Sequence, residues 1–198
     1  ALKVKQSVLN LDFNKPLELG LAYPITLSYG AEWRGDEFIQ SPGEPNSYAL
    51  GTFANIPGSQ VFPGFKPSDG GSFDRHNFSY YAGLEGDLSD KLSLGLAARY
   101  EDYSDFGSTT TWKVTSRYAF TDKVALRGTV STGFRAPSLQ QQYFQSTSTN
   151  FIGGVPYDIV TFRVNNPAAL ALGSEPLKAE ESTNYSLGLV LQPIDSLY

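Results

Sequence analysis

The side chains best placed to do chemistry in this 198-residue sequence are cations and amides rather than nucleophiles. There is no Cys, and the single His is His76. Without Cys there is no thiolate ligand, no Cys nucleophile and no disulfide framework. A Ser-His-Asp arrangement would rest on His76 alone, and a His-based zinc or iron site lacks its ligands. No catalytic residue, metal site or cofactor is therefore expected. His76, at the start of a strand below a long loop, reads first as a surface histidine and second as a group that grips ligand. Asp69-Gly70-Gly71 reads as a turn first, with calcium binding the second reading, since the spaced run of carboxylates that calcium favours does not follow. The charges that remain are more informative. Arg99, Arg117, Arg127 and Arg135 fall on the polar sides of alternating segments, and Arg117 and Arg127 face each other across a predicted hairpin. Like charges so opposed are unfavourable, so something anionic is expected between them. Gln140, Gln141, Gln142, Tyr143 and Phe144 open a long loop. Amides and rings there can contact a polar ligand, or pack the loop on itself.

The elements that position these residues are strands. From Ile25 to Phe38, Ile25, Leu27, Tyr29, Ala31 and Trp33 alternate with Thr26, Ser28, Gly30, Glu32 and Arg34. Side chains of a strand point alternately to its two faces, so this is a ribbon with one apolar and one polar side. Arg75 to Leu88 repeats the pattern and meets Ser89-Asp90-Lys91. Leu92 to Glu101 follows, in a register that pairs Leu88 with Leu92, Leu84 with Leu96 and Tyr80 with Tyr100. Trp112 to Phe120, Thr121-Asp122-Lys123 and Val124 to Arg135 form a second hairpin; the two turns lie 32 residues apart. Lys3 to Asp12 and Thr183 to Leu191 flank the set, making seven strands in up-and-down order. The connections alternate in length. Ser89–Lys91, Thr121–Lys123 and a modest Phe13–Pro24 link are short. At the other end Gln40–Asp74 and Pro137–Glu181 are long and Asp102–Thr110 shorter. One helical turn or two is expected at Pro167–Leu172, capped by Asn166 and stopped by Gly173.

Two architectures bury such ribbons. In a soluble sandwich the apolar face meets a second sheet. In a transmembrane barrel it meets lipid, and the charged face lines a watery lumen. The barrel fits better. Each alternation runs for about ten residues or more, the length a tilted strand needs to cross a bilayer. Aromatic residues collect at strand ends, with Trp33, Tyr100, Tyr103, Phe106, Trp112 and Phe134 at one and Tyr118 and Phe120 toward the other, as in a membrane girdle. No helical span fits, since the longest apolar run is Ala168–Leu172. The net charge of −5 argues against nucleic acid as a partner.

Several segments carry a family likeness. Ser131-Thr-Gly-Phe-Arg-Ala-Pro-Ser138 with Leu139-Gln140-Gln141 resembles a barrel signature of TonB-dependent outer-membrane receptors. So do Gly173-Ser-Glu-Pro-Leu-Lys-Ala-Glu-Glu-Ser-Thr-Asn-Tyr185, where Ala179 replaces a frequent Pro, and Thr149-Asn-Phe-Ile-Gly-Gly-Val-Pro156. Asn14-Lys15-Pro16 and Gly30-Ala-Glu-Trp33 are similar to the central barrel. The resemblance covers essentially the whole chain. It implies an all-β fold in which residues 1–198 are about a third of a 22-stranded transmembrane barrel, with long extracellular loops at 40–74 and 137–181 and no plug domain. Ala1, the lack of Met and the Asp195-Ser-Leu-Tyr198 end are expected of a fragment. The resemblance further implies partners: outer-membrane lipid, the receptor's own plug, the TonB complex acting through it, and a bulky scarce nutrient. That nutrient is a ferric siderophore first, with cobalamin or an oligosaccharide also open. The anion between Arg117 and Arg127 is then a plug carboxylate or a passing ligand, and Arg135 sits in a motif that closes strand to loop. The implied location is the outer membrane of a Gram-negative bacterium. The alternatives are a passive porin or adhesin-type barrel and a soluble β-sandwich carbohydrate-binding module.

Overall fold

Period-two alternation along seven segments becomes one seven-stranded antiparallel sheet. A computed structural model describes residues 1–21, 23–52, 57–58 and 63–192, so the expected turn at residues 195–198 lies outside the described residues. The strands are β1 (Leu2–Leu17), β2 (Ile25–Gln40), β3 (Gly71–Ser89), β4 (Leu92–Tyr103), β5 (Gly107–Thr121), β6 (Val124–Arg135) and, last in the chain, β9 (Glu180–Leu191). The sheet order is β1-β2-β3-β4-β5-β6-β9, so neighbours in sequence are neighbours in space except across one long excursion. That excursion holds the helix α2 (Leu139–Tyr143), a separate hairpin of β7 (Ser146–Ile152) and β8 (Val155–Thr161), and the helix α3 (Pro167–Ala171). A further short helix, α1, spans Pro45–Tyr48. No helix among the described residues is long and apolar enough to cross a membrane.

The register agrees with expectation through the middle of the hairpins and departs from it at the turns. Tyr80 pairs with Tyr100, Leu84 with Leu96 and Arg117 with Arg127. Leu92, however, pairs with Ser89 rather than Leu88, after a bulge between Asp87 and Ser89. An identical shift separates Ala119 from Thr121 before the second turn. The cause is local. The hydroxyls of Ser89 and Thr121 accept from the backbone N–H of Lys91 and Lys123, at 3.4 and 3.3 Å. This leaves a two-residue Asp-Lys turn, and a bulge inserts the extra residue before it. The strands are also longer than the alternation marks. Tyr103 pairs with Gly107, so the connection expected at Asp102–Thr110 is a three-residue turn. Short and long ends therefore do not alternate without exception.

The chain divides into two compact units. The strand unit comprises Val8–Arg34, His76–Ala136 and Ala179–Tyr198; the loop unit comprises Ala1–Ser7, Gly35–Arg75 and Pro137–Lys178. In the strand unit, polarity is reversed relative to a water-soluble protein. Along β3, Asn77 and Ser79 are buried while Phe78, Tyr80 and Leu84 are exposed. Along β4, Glu101 is 6% exposed and Leu96 51%. Soluble sheets bury the apolar face; this one leaves it open, as a lipid-facing wall requires. A sandwich would have covered Leu96, Val114, Leu187 and Leu189, all of which stand exposed. Most of the expected girdle is open too: Trp33, Tyr100, Trp112, Tyr118 and Phe120. Tyr103 is not. It lies on the polar face, 5% exposed, with Phe106 stacked on it at 4.4 Å and Phe134 edge-on at 5.9 Å. It lies three positions after Tyr100, an odd offset, so alternation sends the two rings to opposite faces.

Candidate functional site

The polar face of the strand unit is a connected network. Arg99 Nη2 donates to Glu32 Oε1 at 2.9 Å and to Glu101 Oε1 at 3.2 Å, and its guanidinium lies over the Tyr81 ring. Glu101 also accepts from Ser79 Oγ at 3.1 Å and from the Tyr103 hydroxyl at 3.5 Å. Arg34 Nη2 donates to Tyr103 Oη at 2.9 Å. Buried at Glu101, Ser79 and Tyr103 and partly buried at Arg99 and Glu32, these groups hold one another in fixed positions. Arg99 is thereby part of the wall, with its charge already matched by two carboxylates. The network borders a cavity of about 600 Å³ that Asn10, Asp12 and Lys113 also line.

Arg117 and Arg127 behave differently. They are Cα partners, both exposed, and the described structure gives neither a hydrogen bond nor an ion pair. Both line a groove of about 550 Å³ with Glu85, Asp87 and Tyr23. Arg127 packs its side chain against Gly188, where a Cβ would collide with it. Arg135 is exposed and faces Glu180 in the β6–β9 register. Tyr23, in the link before β2, donates to Asp90 Oδ1 at 2.8 Å. That hydrogen bond, together with the negative charge of Asp90, pushes the Tyr23 phenol above its ordinary pKa.

In the loop unit, the residues expected at the start of the second long loop form α2 and take mostly structural roles. Gln141 Oε1 accepts from Ser138 N and Oγ while Ser138 Oγ accepts from Gln141 N, a reciprocal cap. Tyr143 stacks on Phe73 at 4.3 Å, and Phe144 meets Phe65 edge-on. Gln142 N donates to Ser138 O, and Gln142 O accepts from Val164 N. Gln140 is exposed. The helix at Pro167 forms where expected: Asn166 Oδ1 caps Ala168 N, and Gly173 takes φ +97.

The centre of the loop unit is Asp69, which spacing gave no reason to choose. Its side chain is fully buried. Oδ2 accepts from Lys66 N and Thr147 N, at 3.0 and 3.1 Å; Oδ1 accepts from Thr147 Oγ1 and Gln145 Nε2, at 2.7 and 3.3 Å. Both oxygens are engaged by protein donors. Arg163 reinforces the centre: Nη2 donates to the carbonyls of Asp69 and Gly70, Nε to Tyr143, and the guanidinium lies over Phe73 at 4.8 Å. Gln40, 1% exposed, exchanges hydrogen bonds with the backbone of Gln145. Lys66 Nζ pairs with Asp158 at 2.7 Å, and Thr149 Oγ1 donates to the same carboxylate. Those two hydrogen bonds hold the Asp158 carboxyl below its ordinary pKa. Two local signals for this unit stood in the sequence. Ser138-x-x-Gln141 is a capping-box spacing, and Gly153-Gly154, at φ +60 and +82, is a two-residue hairpin turn. No group of three or more His, Cys, Asp or Glu able to hold a metal occurs among the described residues.

A one-sheet, up-and-down strand unit that buries Asn77, Ser79 and Glu101 and leaves its apolar face open defines a wall segment of a membrane barrel. The chain belongs to the TonB-dependent receptor-like β-barrel family, whose model matches residues 3–198. A curated relative described as a probable TonB-dependent siderophore receptor, PirA of Acinetobacter baumannii, is 27% identical over 189 residues, 92% of this chain and 22% of its own length. The crystal structure of the siderophore receptor PirA from Acinetobacter baumannii superposes with a TM-score of 0.65 at 18% identity, covering 96% of this chain and 25% of that one. A structure of the ferric enterobactin receptor PfeA from Pseudomonas aeruginosa, a G324V mutant, gives 0.64 at 21% identity, with the same coverage. The chain thus spans about a quarter of the length of the proteins it matches. The family is one of receptors and transporters found as outer-membrane β-barrels of Gram-negative bacteria.

Proposed function

We propose that this chain is part of an outer-membrane receptor that imports a ferric siderophore, energised through TonB. The observation that carries the reading is the reversed polarity of the strand unit, with Glu101, Asn77 and Ser79 covered and Leu84, Leu96 and Val114 open. Lipid covers such a face in a closed barrel, and closure also pairs the backbone edges of β1 and β9 that a bilayer would not tolerate. In this reading the whole receptor closes a 22-stranded barrel around a plug domain. The connections at 40–74 and 137–181 face the cell exterior, and bilayer lipid meets the apolar face. Arg117 and Arg127, exposed and unmatched by any described group, take an anion: a carboxylate of the plug or a ligand in passage. Arg135 and Gln140 remain available to solvent near the start of the second long connection. Similarity to siderophore receptors favours a ferric chelate as cargo over cobalamin or an oligosaccharide. The mechanism is capture and gated passage, with no covalent step.

The test is growth of a strain lacking the parent gene on single ferric chelates under iron limitation, with radioiron uptake measured alongside. Loss of uptake of one ferric chelate, restored by the intact gene and abolished without TonB, is the expected result. Unchanged use of every ferric chelate, with a defect on cobalamin or a sugar polymer, overturns the choice of cargo. Uptake that persists without TonB overturns the receptor reading in favour of a passive pore.

A further inference from the structure

We infer that Asp69 is a positioning residue. It clamps the β7–β8 hairpin to the first long connection, so that the hairpin is presented as a preformed contact surface rather than a mobile loop. The inference rests on the receptor reading only for what the hairpin touches; the clamp stands on geometry alone. Cross-strand partners of a hairpin share a face. Thr147 pairs with Val160 and Thr149 with Asp158, and the two pairs lie two residues apart, so they lie on one face. Asn150 pairs with Tyr157 and Ile152 with Val155, which places these four on the other. The first face is the one held. Thr147 gives both its N–H and its hydroxyl to Asp69, and Asp158 takes Lys66 Nζ and Thr149 Oγ1. The second face is open: Ile152, Val155 and Tyr157 are 60, 51 and 50% exposed, and toward the turn the first face opens too, with Phe151 48% exposed.

The donors to Asp69 come from its own turn, at Lys66, and from Gln145 and Thr147, 76 and 78 positions away, and together they close one junction. Oδ2 fixes its own 3-10 turn at Lys66 while also taking Thr147 N, so a single carboxylate sets the relative position of residues 66–70 and 145–147. A buried carboxylate holding four donors is difficult to replace. An amide in its place has one acceptor oxygen and turns an N–H₂ toward donors, leaving buried groups unmatched. A short, rigid platform lowers the ordering cost that a ligand otherwise bears on binding. The aromatic and aliphatic open face, flanked by the Asn150 amide, fits a ligand with flat apolar surface and polar edges, the chemistry of an aryl-bearing metal chelate.

The experiment uses the full-length receptor in outer-membrane vesicles or detergent. Spin labels are placed at Lys3→Cys and Asn150→Cys, both exposed and both in the loop unit. Pulsed-dipolar distances are recorded without ligand in the otherwise unaltered protein and with Asp69→Asn, Thr147→Val and Thr147→Ser. A narrow distribution is expected for the parent and for Thr147→Ser. Asp69→Asn should broaden it strongly and Thr147→Val partly, while heat-modifiable gel mobility shows that the barrel is intact in all four. In protein without labels, ferric enterobactin serves as the aryl-bearing probe and a ferric hydroxamate as the aryl-free control; Asp69→Asn is expected to weaken ferric enterobactin binding by at least fivefold, and a parent that binds only the hydroxamate overturns the aryl-bearing occupant. Distributions as narrow in Asp69→Asn as in the parent overturn the clamp. Broad distributions with undiminished affinity overturn its role in ligand contact. A parent protein that binds no ferric chelate defeats the cargo reading instead, while the spin-label comparison still decides the clamp.

Discussion

Replacing Leu96 with Arg puts the open face of the sheet to a quantitative test. Leu96 lies in the middle of β4, 51% exposed, between Leu84 of β3 and Val114 of β5. If that face meets hydrocarbon, a guanidinium there must be carried to the depth of the membrane interior, which costs about 2–4 kcal/mol near the midplane of a barrel. The next residue supplies the control, because alternation turns it to the opposite face. Ala97→Arg would face the wet side, opposite Lys113. Like charges so placed cost up to about 1 kcal/mol. The assay is urea-dependent folding of the intact receptor into lipid vesicles, followed by the heat-modifiable shift on gels. Leu96→Arg should lower the folded-to-unfolded ratio by roughly 30-fold to 700-fold, at one decade per 1.4 kcal/mol. Ala97→Arg should change it by no more than about fivefold on the same conversion. Equal losses at the two positions, or a Leu96→Arg loss below that of Ala97→Arg, would refute the assignment of faces.

Three further outcomes follow from the polar groups and the close contacts. Arg99→Met strips Glu101 and Glu32 of their shared cation; with Glu101 buried, the loss should be about 1.5–3 kcal/mol in the same unfolding assay, and Glu101→Gln in that background should recover part of it. Gly30→Ala would drive a methyl group into the Tyr81 hydroxyl and the Leu11 carbonyl, and should cost about 1–3 kcal/mol through overpacking. The Tyr23–Asp90 hydrogen bond should fade in alkali rather than acid. The folded-state phenol pKa lies above its unfolded value, so the stabilisation is complete below the unfolded pKa and is lost as pH rises through the folded one. Absorbance of phenolate, recorded as the difference between the parent and Tyr23→Phe, should show one tyrosine titrating late, and a difference spectrum that titrates at the ordinary tyrosine value would contradict the contact.

The strand unit was legible in the sequence because each of its residues chooses between only two environments. A strand repeats every two residues, and a wall between lipid and water imposes that period over a whole span. The stretch from Phe78 to Leu84 shows the rule, as does the pairing of Arg117 with Arg127 from two runs joined by Thr121-Asp122-Lys123. The departures from simple alternation are local: a hydroxyl at Ser89 or Thr121 accompanies a one-residue register shift, and Tyr103 falls on the polar face by parity alone.

The loop unit was decided elsewhere. Asp69 meets Thr147 across 78 positions, and Gln40 meets Gln145 across 105. These contacts involve a carboxylate, hydroxyls and amides, which bind in any order and leave no period behind. Gly153-Gly154 could announce a hairpin, but nothing in the order of residues says which face of it would be held by Asp69 and Lys66 and which left open. The sequence by itself determined a membrane-wall sheet, since the two solvents on either side of that sheet write themselves into alternate residues. Only the tertiary structure chose Asp69 as the centre of the loops, because a buried carboxylate can be satisfied by whichever distant donors the fold delivers to it.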